Sequence, residues 1–386
     1  MSTEREKIKV LHVVGTMNTG GAEIMLMDIY RNISANVEFD FLVNVKANKD
    51  LPKGDFDEEI IKRGGRLLYV TAQWDLGITR FIKAFKQIIK ENGKPDILHV
   101  HLNSKGGVIA LCARLCKIKK IIVHSHADIN YRGSLLKVLP HLIELKFQKI
   151  LISLFATDLW ACSRPAAKSL FFPWIEKKAV IINNAINVSS FLEVSNDTRT
   201  KIRESIKAFD NKIVIGNVGR INRSKNIGFL IEIMKILKEK EVDCILVCAG
   251  RIDDEQYMNE VKWQIEKFGL QEQVVFLGNR NDIQNVLSSF DIFVSPSRHE
   301  GFGMVAAEAQ ASGLPCVLSD GFPKNVDMGL NLVEFMDDFN AEEWAETIMD
   351  KLNSKILDKE KIYKKLAELG FDVVENTKRV EELYYS

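Results

Sequence analysis

Two carboxylates eight residues apart sit in the stretch of this chain with the densest chemistry. Glu300 and Glu308 lie within I-F-V-S-P-S-R-H-E-G-F-G-M-V-A-A-E-A-Q-A-S-G-L-P-C-V-L-S, which runs from Ile292 to Ser319. Apolar Ile292 to Val294, bounded by Pro296, reads as a short buried strand, and Cys316 to Leu318, after Gly313 and Pro315, as a second. The Gly-rich turn between them leads into a helix starting near Gly303. Glu300 then stands just ahead of the first turn and Glu308 on the second. Both can face the C-terminal edge of a parallel sheet, where open α/β folds bind ligands. By itself the pair also fits an acid/base couple. Carboxylates at this spacing recur by chance among 52 acidic residues, so the signal lies in the run around them.

Three further groups carry chemistry. Gly219-Arg220-x4-Lys225 puts two cations where a strand gives way to a helix. That suits a diphosphate, Arg clamping oxygens in pairs and Lys adding a mobile point charge, with a solvated basic loop as the alternative. His99-Val-His101 and His124-Ser-His126 each close a strand with both imidazoles on one face. H-x-H is a metal-ligand spacing, but no cluster of Asp or Cys accompanies it, and strand-end histidines often serve as plain hydrogen-bonding residues. The expectation is no metal. His126, closing its strand before Ala127-Asp128, is the histidine expected to face a cleft. Lastly, Gly15 to Glu23 reads G-T-M-N-T-G-G-A-E. It has the G-x4-G spacing of a P-loop with Gly21 and Ala22 where Lys and Ser/Thr are required, and it lacks G-x-G-x-x-G. A ligand cradle of helix N-terminal amides and a tight strand–helix turn remain equally open.

The elements that must position these residues alternate strand and helix. Strands at Val10–Gly15, Asp40–Val45, Arg66–Val70, Ile97–Val100, Ile121–Val123, Asp158–Cys162 and Ala179–Ile182 are separated by helical patterns, including Ala22–Ile33 and a long one from Ser134 to about Leu154. From Val188 to Lys212 the pattern turns polar and weakly periodic. A second series follows: strands Ile213–Val218, Cys244–Ala249 and Val274–Leu277, with helices Ile227–Lys240, Glu255–Phe268 and Asp282–Ser288. Strand–helix alternation implies βαβ units and parallel sheets. The expected organisation is two doubly wound α/β domains, residues 1–188 and 205–370, with a linker at 189–204 and a cleft between them. At 386 residues each domain can bury its own core. With 53 basic against 52 acidic residues, the charge balance argues against a nucleic-acid binder. Six cysteines without C-x-x-C spacing fit free thiols in a reducing cytoplasm. The mixed-charge start M-S-T-E-R-E-K-I-K does not read as a signal peptide, and no apolar run reaches spanning length.

With Gly20-Gly21-Ala22-Glu23, Gly219-Arg220, Lys225 and Glu300-x7-Glu308 in this order, the chain resembles the retaining glycosyltransferases of family 4, over nearly its whole length. V-L-H-V-V-G-T-M-N-T-G-G-A-E-I-M and V-H-S-H-A-D are similar to the bacterial branch that builds exopolysaccharide, capsule and other surface glycans. The resemblance implies a GT-B fold, two Rossmann-like domains facing across a cleft, with a last helix at about 372–386 packing back on the first. It implies a nucleotide-sugar donor, a UDP-sugar, and no cofactor. Arg220 and Lys225 would hold the diphosphate, Glu308 the ribose, and Glu300 hydroxyls of the sugar. Backbone amides of Phe302, Gly303 and Met304, with Val305 beside them, would support phosphate and sugar, and Gly278, Asn279 and Arg280 the base. Gly20 and Gly21 would let the first domain close over the phosphates, and His126 would lie near the sugar and the acceptor hydroxyl. Asn226 stands where many relatives have Gly, and Asn184-Ala185 where Asn-Gly is commonest; neither removes a side chain the chemistry needs.

The resemblance also implies a lipid-linked saccharide or glycan acceptor at the inner membrane face of a cytoplasmic protein. The segment from Tyr131 to Phe155 mixes Arg132, Lys137, Lys146 and Lys149 with dense Leu, Ile and Phe, a composition suited to an interface-seeking helix or to a core helix with a basic outer face. Rival readings are a nucleotide-sugar 2-epimerase on the same scaffold, an H-x-H metal-dependent hydrolase, and a non-catalytic sugar-nucleotide binder.

Overall fold

A computed structural model describes residues 7–18, 20–47, 51, 53–129, 134–209, 212–353 and 357–386. The chain forms two compact units, Met1–Ala185 with Val373–Ser386, and Ile186–Asp372.

The first unit is a parallel sheet of seven strands: β1 (Ile8–Val14), β2 (Val37–Val45), β3 (Leu67–Thr71), β4 (Ile97–Val100), β5 (Lys120–Ser125), β6 (Asp158–Ala161) and β7 (Val180–Ile181), in the order β3-β2-β1-β4-β5-β6-β7. Its strands are apolar on both faces because helices cover both. One face packs Phe81, Phe85, Val108 and Ile109 against Leu98 and Val123. The other buries Met25, Leu26, Phe39 and Phe41 with Val380 and Tyr384 of the last helix, Val373–Tyr385. Ser34 Oγ donates to Glu381 at 2.7 Å and Asn376 Nδ2 to the Asn183 carbonyl at 3.0 Å, which fastens that helix to the unit.

The second unit holds six parallel strands: β8 (Ile213–Val218), β9 (Cys244–Ala249), β10 (Val274–Gly278), β11 (Ile292–Ser295), β12 (Cys316–Ser319) and β13 (Val333–Met336), ordered β10-β9-β8-β11-β12-β13. The order reverses between β8 and β11, so the loops leaving these two strands diverge and open a crevice at their C-terminal ends. Arg220 and Lys225 follow one of these strands, Glu300 the other.

Two stretches differ from expectation. The segment expected as a linker carries two helices, Val188–Leu192 and Asn196–Ser205, capped by the side chains of Asn187 and Ser195. The second is held by charge rather than by an apolar stripe: Arg199 and Arg203 reach Asp291 at 2.7 and 3.0 Å. β13 and the helices Ala341–Leu352 and Lys359–Glu368 lie beyond Cys316–Leu318, the last strand expected in the second series. The last helix spans Val373–Tyr385. All six cysteines are free. Among the described residues no helix is long and apolar enough to cross a membrane.

Candidate functional site

At the C-terminal edge of the second sheet, the ladder continues one residue beyond two neighbouring strands, β8 and β9. Gly219 N donates to Ala249 O at 2.9 Å and Gly250 N to Gly278 O at 2.8 Å. The approach is close enough that a Cβ on Gly250 would stand 1.9 Å from the Gly219 carbonyl oxygen. Side chains are thereby kept off the floor of the crevice.

Lys225 is aimed by an Asx turn. The Asn222 carboxamide oxygen accepts from the amides of Ser224 (3.0 Å) and Lys225 (3.2 Å), and Asn226 then takes a left-handed φ of 56° to start the helix Ile227–Glu239. Asn tolerates that region better than other side-chain-bearing residues, which lets it hold this turn. From the other side of the switch point, Arg298 N donates to Ser224 O at 2.8 Å and Glu300 N to Gly321 O at 3.0 Å, tying the loop after β11 to the loops after β8 and β12. The result is an ion pair between Lys225 Nζ and Glu300 Oε1, their side chains only 18% and 11% exposed.

Immediately beyond, Gly303 caps the helix Met304–Ala311 with φ 85°, and a Cβ there would meet Phe322 Cε1 at 2.4 Å. Ala306, Ala307, Ala309 and Ala311 let the helix lie deep, and Gln310 clamps the loop after β12 through Val326 O (2.9 Å) and Met328 N (3.0 Å). The first amides of this helix, at Met304 and Val305, have no partner within the helix and carry the positive end of its dipole. Glu308 is half-buried on its second turn. Phe302 stacks on Phe371 with centroids 5.3 Å apart, so its ring is an apolar wedge under the turn.

The other expected residues are held more loosely. Arg220 is 64% exposed and pairs with Asp253 at 3.2 Å, which also takes Arg251 at 2.8 Å. Arg280 is forked onto Asp282 at 2.8 and 2.7 Å, after Gly278 turns the chain at φ 68° and Asn279 follows. Thus the second unit brings together Lys225, Glu300 and the helix start at Gly303, while Arg220 and Arg280 are each occupied by a neighbouring carboxylate. Asn222, Gly250 and Gln310, which build the site, were legible only as loop, strand-end and helix residues.

In the first unit Gly20 caps the helix Gly21–Asn32. The Glu23 carboxylate folds back so that a Cβ on Gly20 would stand 2.3 Å from its oxygen, and burial raises its pKa. Gly21 faces open space. His126 follows β5 with its amide fixed by Asn103 Oδ1 at 2.7 Å. It belongs to a cluster of five imidazoles from three adjacent strands, of which spacing alone reveals four; His12 on β1 is the fifth. His12 Nδ1 and His101 Nε2 lie 3.0 Å apart, His101 Nδ1 and His126 Nε2 2.8 Å, and His99 Nε2 and His124 Nδ1 3.2 Å, with Tyr384 OH 2.9 Å from His99 Nδ1. Burial lowers every one of the five pKa values, those of His12 and His126 to about 3, so the rings are neutral. Two trios, His12/His99/His101 and His101/His124/His126, keep ligand nitrogens within 4.8 Å of one another and could hold a metal ion. Several of these nitrogens are already engaged with another ring, and a metal would have to displace those hydrogen bonds.

The helix Leu135–Phe155 of the same unit is apolar on two faces. Leu145, Leu151 and Ile152 are buried, while Leu139, Leu142, Ile143, Phe147, Ile150 and Leu154 form an exposed stripe, Ile143 at 62% and Leu154 at 66%. Lys137 and Lys146 are exposed beside it. Tyr131 and Arg132 of the expected interface segment lie outside the described residues.

The sequence profile of the family described as "Glycosyl transferases group 1" matches residues 198–368. EpsF of Bacillus subtilis (strain 168), whose name places it among the glycosyltransferases, is 35% identical over 381 residues, 97% of this chain and 96% of its own. The UDP-Gal:alpha-D-GlcNAc-diphosphoundecaprenol alpha-1,3-galactosyltransferase of Escherichia coli is 25% identical over 399 residues, covering 100% and 98%. Anabaena HepE, solved in complex with UDP, superposes with a TM-score of 0.78 at 20% identity, over 98% of this chain and 100% of that one. At that identity the likeness speaks for the fold, and the two parallel-sheet α/β units are those of the GT-B architecture.

Proposed function

The chain belongs to the group 1 glycosyl transferases, and we propose that it is a retaining enzyme moving a sugar from UDP to a hydroxyl of a lipid-linked saccharide in bacterial surface-polysaccharide synthesis. The observation that carries this reading is the meeting of Lys225, Glu300 and the helix start at Gly303 at one sheet edge. A leaving diphosphate needs cationic and amide partners; a sugar ring needs a carboxylate for its hydroxyls and for oxocarbenium charge. Lys225, joined by Arg220, takes the diphosphate together with the amides of Met304 and Val305. Glu308 takes the ribose, and the loop Gly278–Arg280 the base. The Lys225–Glu300 pair opens when the donor arrives, each partner exchanging the other for a substrate group. These cations replace a divalent metal. The C1–O bond to the diphosphate breaks as the C1–O bond to the acceptor forms on the same face, and the acceptor proton passes to the leaving phosphate oxygen.

The UDP donor and lipid-linked acceptor are supported by the names of the E. coli relative and the HepE complex. The exposed apolar stripe with Lys137 and Lys146 supports docking of the first unit on an anionic membrane, where such an acceptor resides. The deciding experiment incubates the full chain with a panel of UDP-sugars, with and without a polyprenyl-diphosphate saccharide, in the presence of EDTA. Transfer that needs acceptor and survives EDTA, with the donor's anomeric configuration kept, is the expected result. Sugar conversion without acceptor would replace this reading with an epimerase, and loss of activity in EDTA would put a metal at the histidine trios.

A further inference from the structure

A groove of about 740 Å3 opens on the second unit between the helices Ile227–Glu239 and Glu255–Lys267, and neither Lys225 nor Glu300 lines it. Its size is that of a small-molecule site, roughly 300–1,000 Å3. The two helices approach closely there. A Cβ on Gly228 would stand 2.8 Å from Gln264 Oε1, and Gly228 N donates to the Tyr257 hydroxyl at 2.9 Å. That amide belongs to the first turn of its helix and has no partner within it, so the hydroxyl satisfies the amide and is itself held in place.

The lining combines rings with neutral polar forks. Trp263 is 59% exposed, although Tyr257, Met258, Val261 and Ile265 of the same helix are buried. Lys267 Nζ lies 4.8 Å from its ring centroid and steadies it. Phe339, 36% exposed, meets the buried Phe229 ring edge-on at 5.3 Å and carries the Arg298 guanidinium at 5.1 Å. Gln256, Asn259 and Gln264 add carboxamides, each able to donate and to accept. Charge speaks against a phosphate ligand: the carboxylates of Glu232 and Glu260 stand against the one guanidinium of Arg298 among the lining residues. A nucleotide would bring phosphates that these carboxylates repel. A saccharide suits both features, because the C–H face of a pyranose rests on the negative face of an aromatic ring while its hydroxyls reach amides.

We propose that this groove is a second saccharide-binding site, outside the crevice of Lys225 and Glu300, which takes a neutral oligosaccharide on the rings of Trp263 and Phe339. Asn226 and Arg298 line it and adjoin the two loops of that crevice, which Arg298 N ties together through Ser224 O at 2.8 Å. A glycan held there stays beside those loops. Its role, keeping the enzyme on the glycan it extends, rests on the proposed transferase reading; the binding itself does not.

The test labels the full chain with 5-fluorotryptophan and titrates it with tetrasaccharides of glucose, of galactose and of N-acetylglucosamine, with and without saturating UDP. The fluorine signal lost in Trp263→Leu identifies Trp263. That signal is expected to shift saturably with at least one tetrasaccharide, to the same extent whether or not UDP is bound. By calorimetry Trp263→Leu should weaken the binding about tenfold or more, as loss of a central aromatic anchor does. Asn259→Ala should weaken it less, and Trp263→Tyr, which keeps a ring face, should retain most of it. A Trp263 signal unmoved by all three tetrasaccharides overturns the proposal. So does a signal displaced by UDP, which would make the groove part of the donor site. A signal that moves with protein concentration alone assigns the groove to a contact between copies of the chain and overturns it equally. None of these readings needs turnover: saccharide binding in a chain that transfers no sugar upholds the site and removes only its retention role.

Discussion

The histidine cluster makes the first unit sensitive to acid. His12, His99, His101 and His124 are 0%, 1%, 7% and 0% exposed, and burial holds each below its ordinary pKa, His12 at about 3. In the unfolded chain the same four titrate near 6.5. Between that value and the folded values the unfolded state binds more protons, so stability is complete above pH 6.5 and falls as the pH drops toward 3. From pH 7.5 to 5.5 an unfolded histidine goes from about one-tenth to about nine-tenths protonated, worth about 1.4 kcal/mol. Four of them sum to about 5 kcal/mol, against a total of roughly 5–15 kcal/mol for an ordinary domain. The rings packed on the cluster, Phe39, Phe41, Trp160 and Tyr384, do not take up protons in that window to offset the loss. Urea unfolding at pH 7.5, 6.5 and 5.5, followed by native-state hydrogen exchange at amides of β1, β4 and β5, isolates this unit from the other. Protection there should drop by the full figure, and His12→Phe should reduce the drop by about 1.4 kcal/mol, one proton's share. Protection unchanged between pH 7.5 and 5.5, or imidazoles titrating near 6.5 in the folded protein, would refute the reasoning.

Glu300→Gln should lower kcat by about 100-fold or more, the loss of one charge-stabilising group, while donor affinity by calorimetry changes less than about threefold; equal loss in both would reduce Glu300 to a binding residue. Gly303→Ala forces a side chain into the left-handed region and against Phe322, so denaturant midpoints should show the second unit weakened by about 2 kcal/mol and the donor KM should rise. Ile143→Glu with Phe147→Glu should cut flotation on anionic vesicles at least tenfold without changing turnover of a soluble acceptor, since each removes an apolar side chain worth about 1.5–3 kcal/mol on burial; vesicle binding absent in the wild type would sink the membrane docking.

The second unit was the easier to read because its site is local in sequence. Strand, turn and helix follow one another within Ile292–Ser319, and the spacing that puts Glu308 on the second turn is a property of any helix beginning at Met304. What spacing could not supply was the partner across the switch point. That Lys225 and Glu300 pair is decided by sheet order, with β8 and β11 adjacent although 73 residues separate Val218 from Ile292 only through β9, β10 and their helices. The helix Asn196–Ser205 escaped for a different reason: its contacts are arginine forks to Asp291, which leave no apolar period to detect.

The first unit hides its chemistry by dispersing it. His12 sits in V-L-H-V-V, where a lone imidazole in an apolar strand reads as a satisfied core residue, and nothing near it points to His101, 89 residues on. The sheet joins them because β1 lies beside β4 in register, His12 opposite His99, and β4 beside β5. The same two adjacencies that build the α/β topology therefore build the hydrogen-bond chain. Tyr384 closes the other branch on His99 from the final helix. A histidine chain that crosses three strands is therefore a product of strand order, legible only once the sheet is assembled.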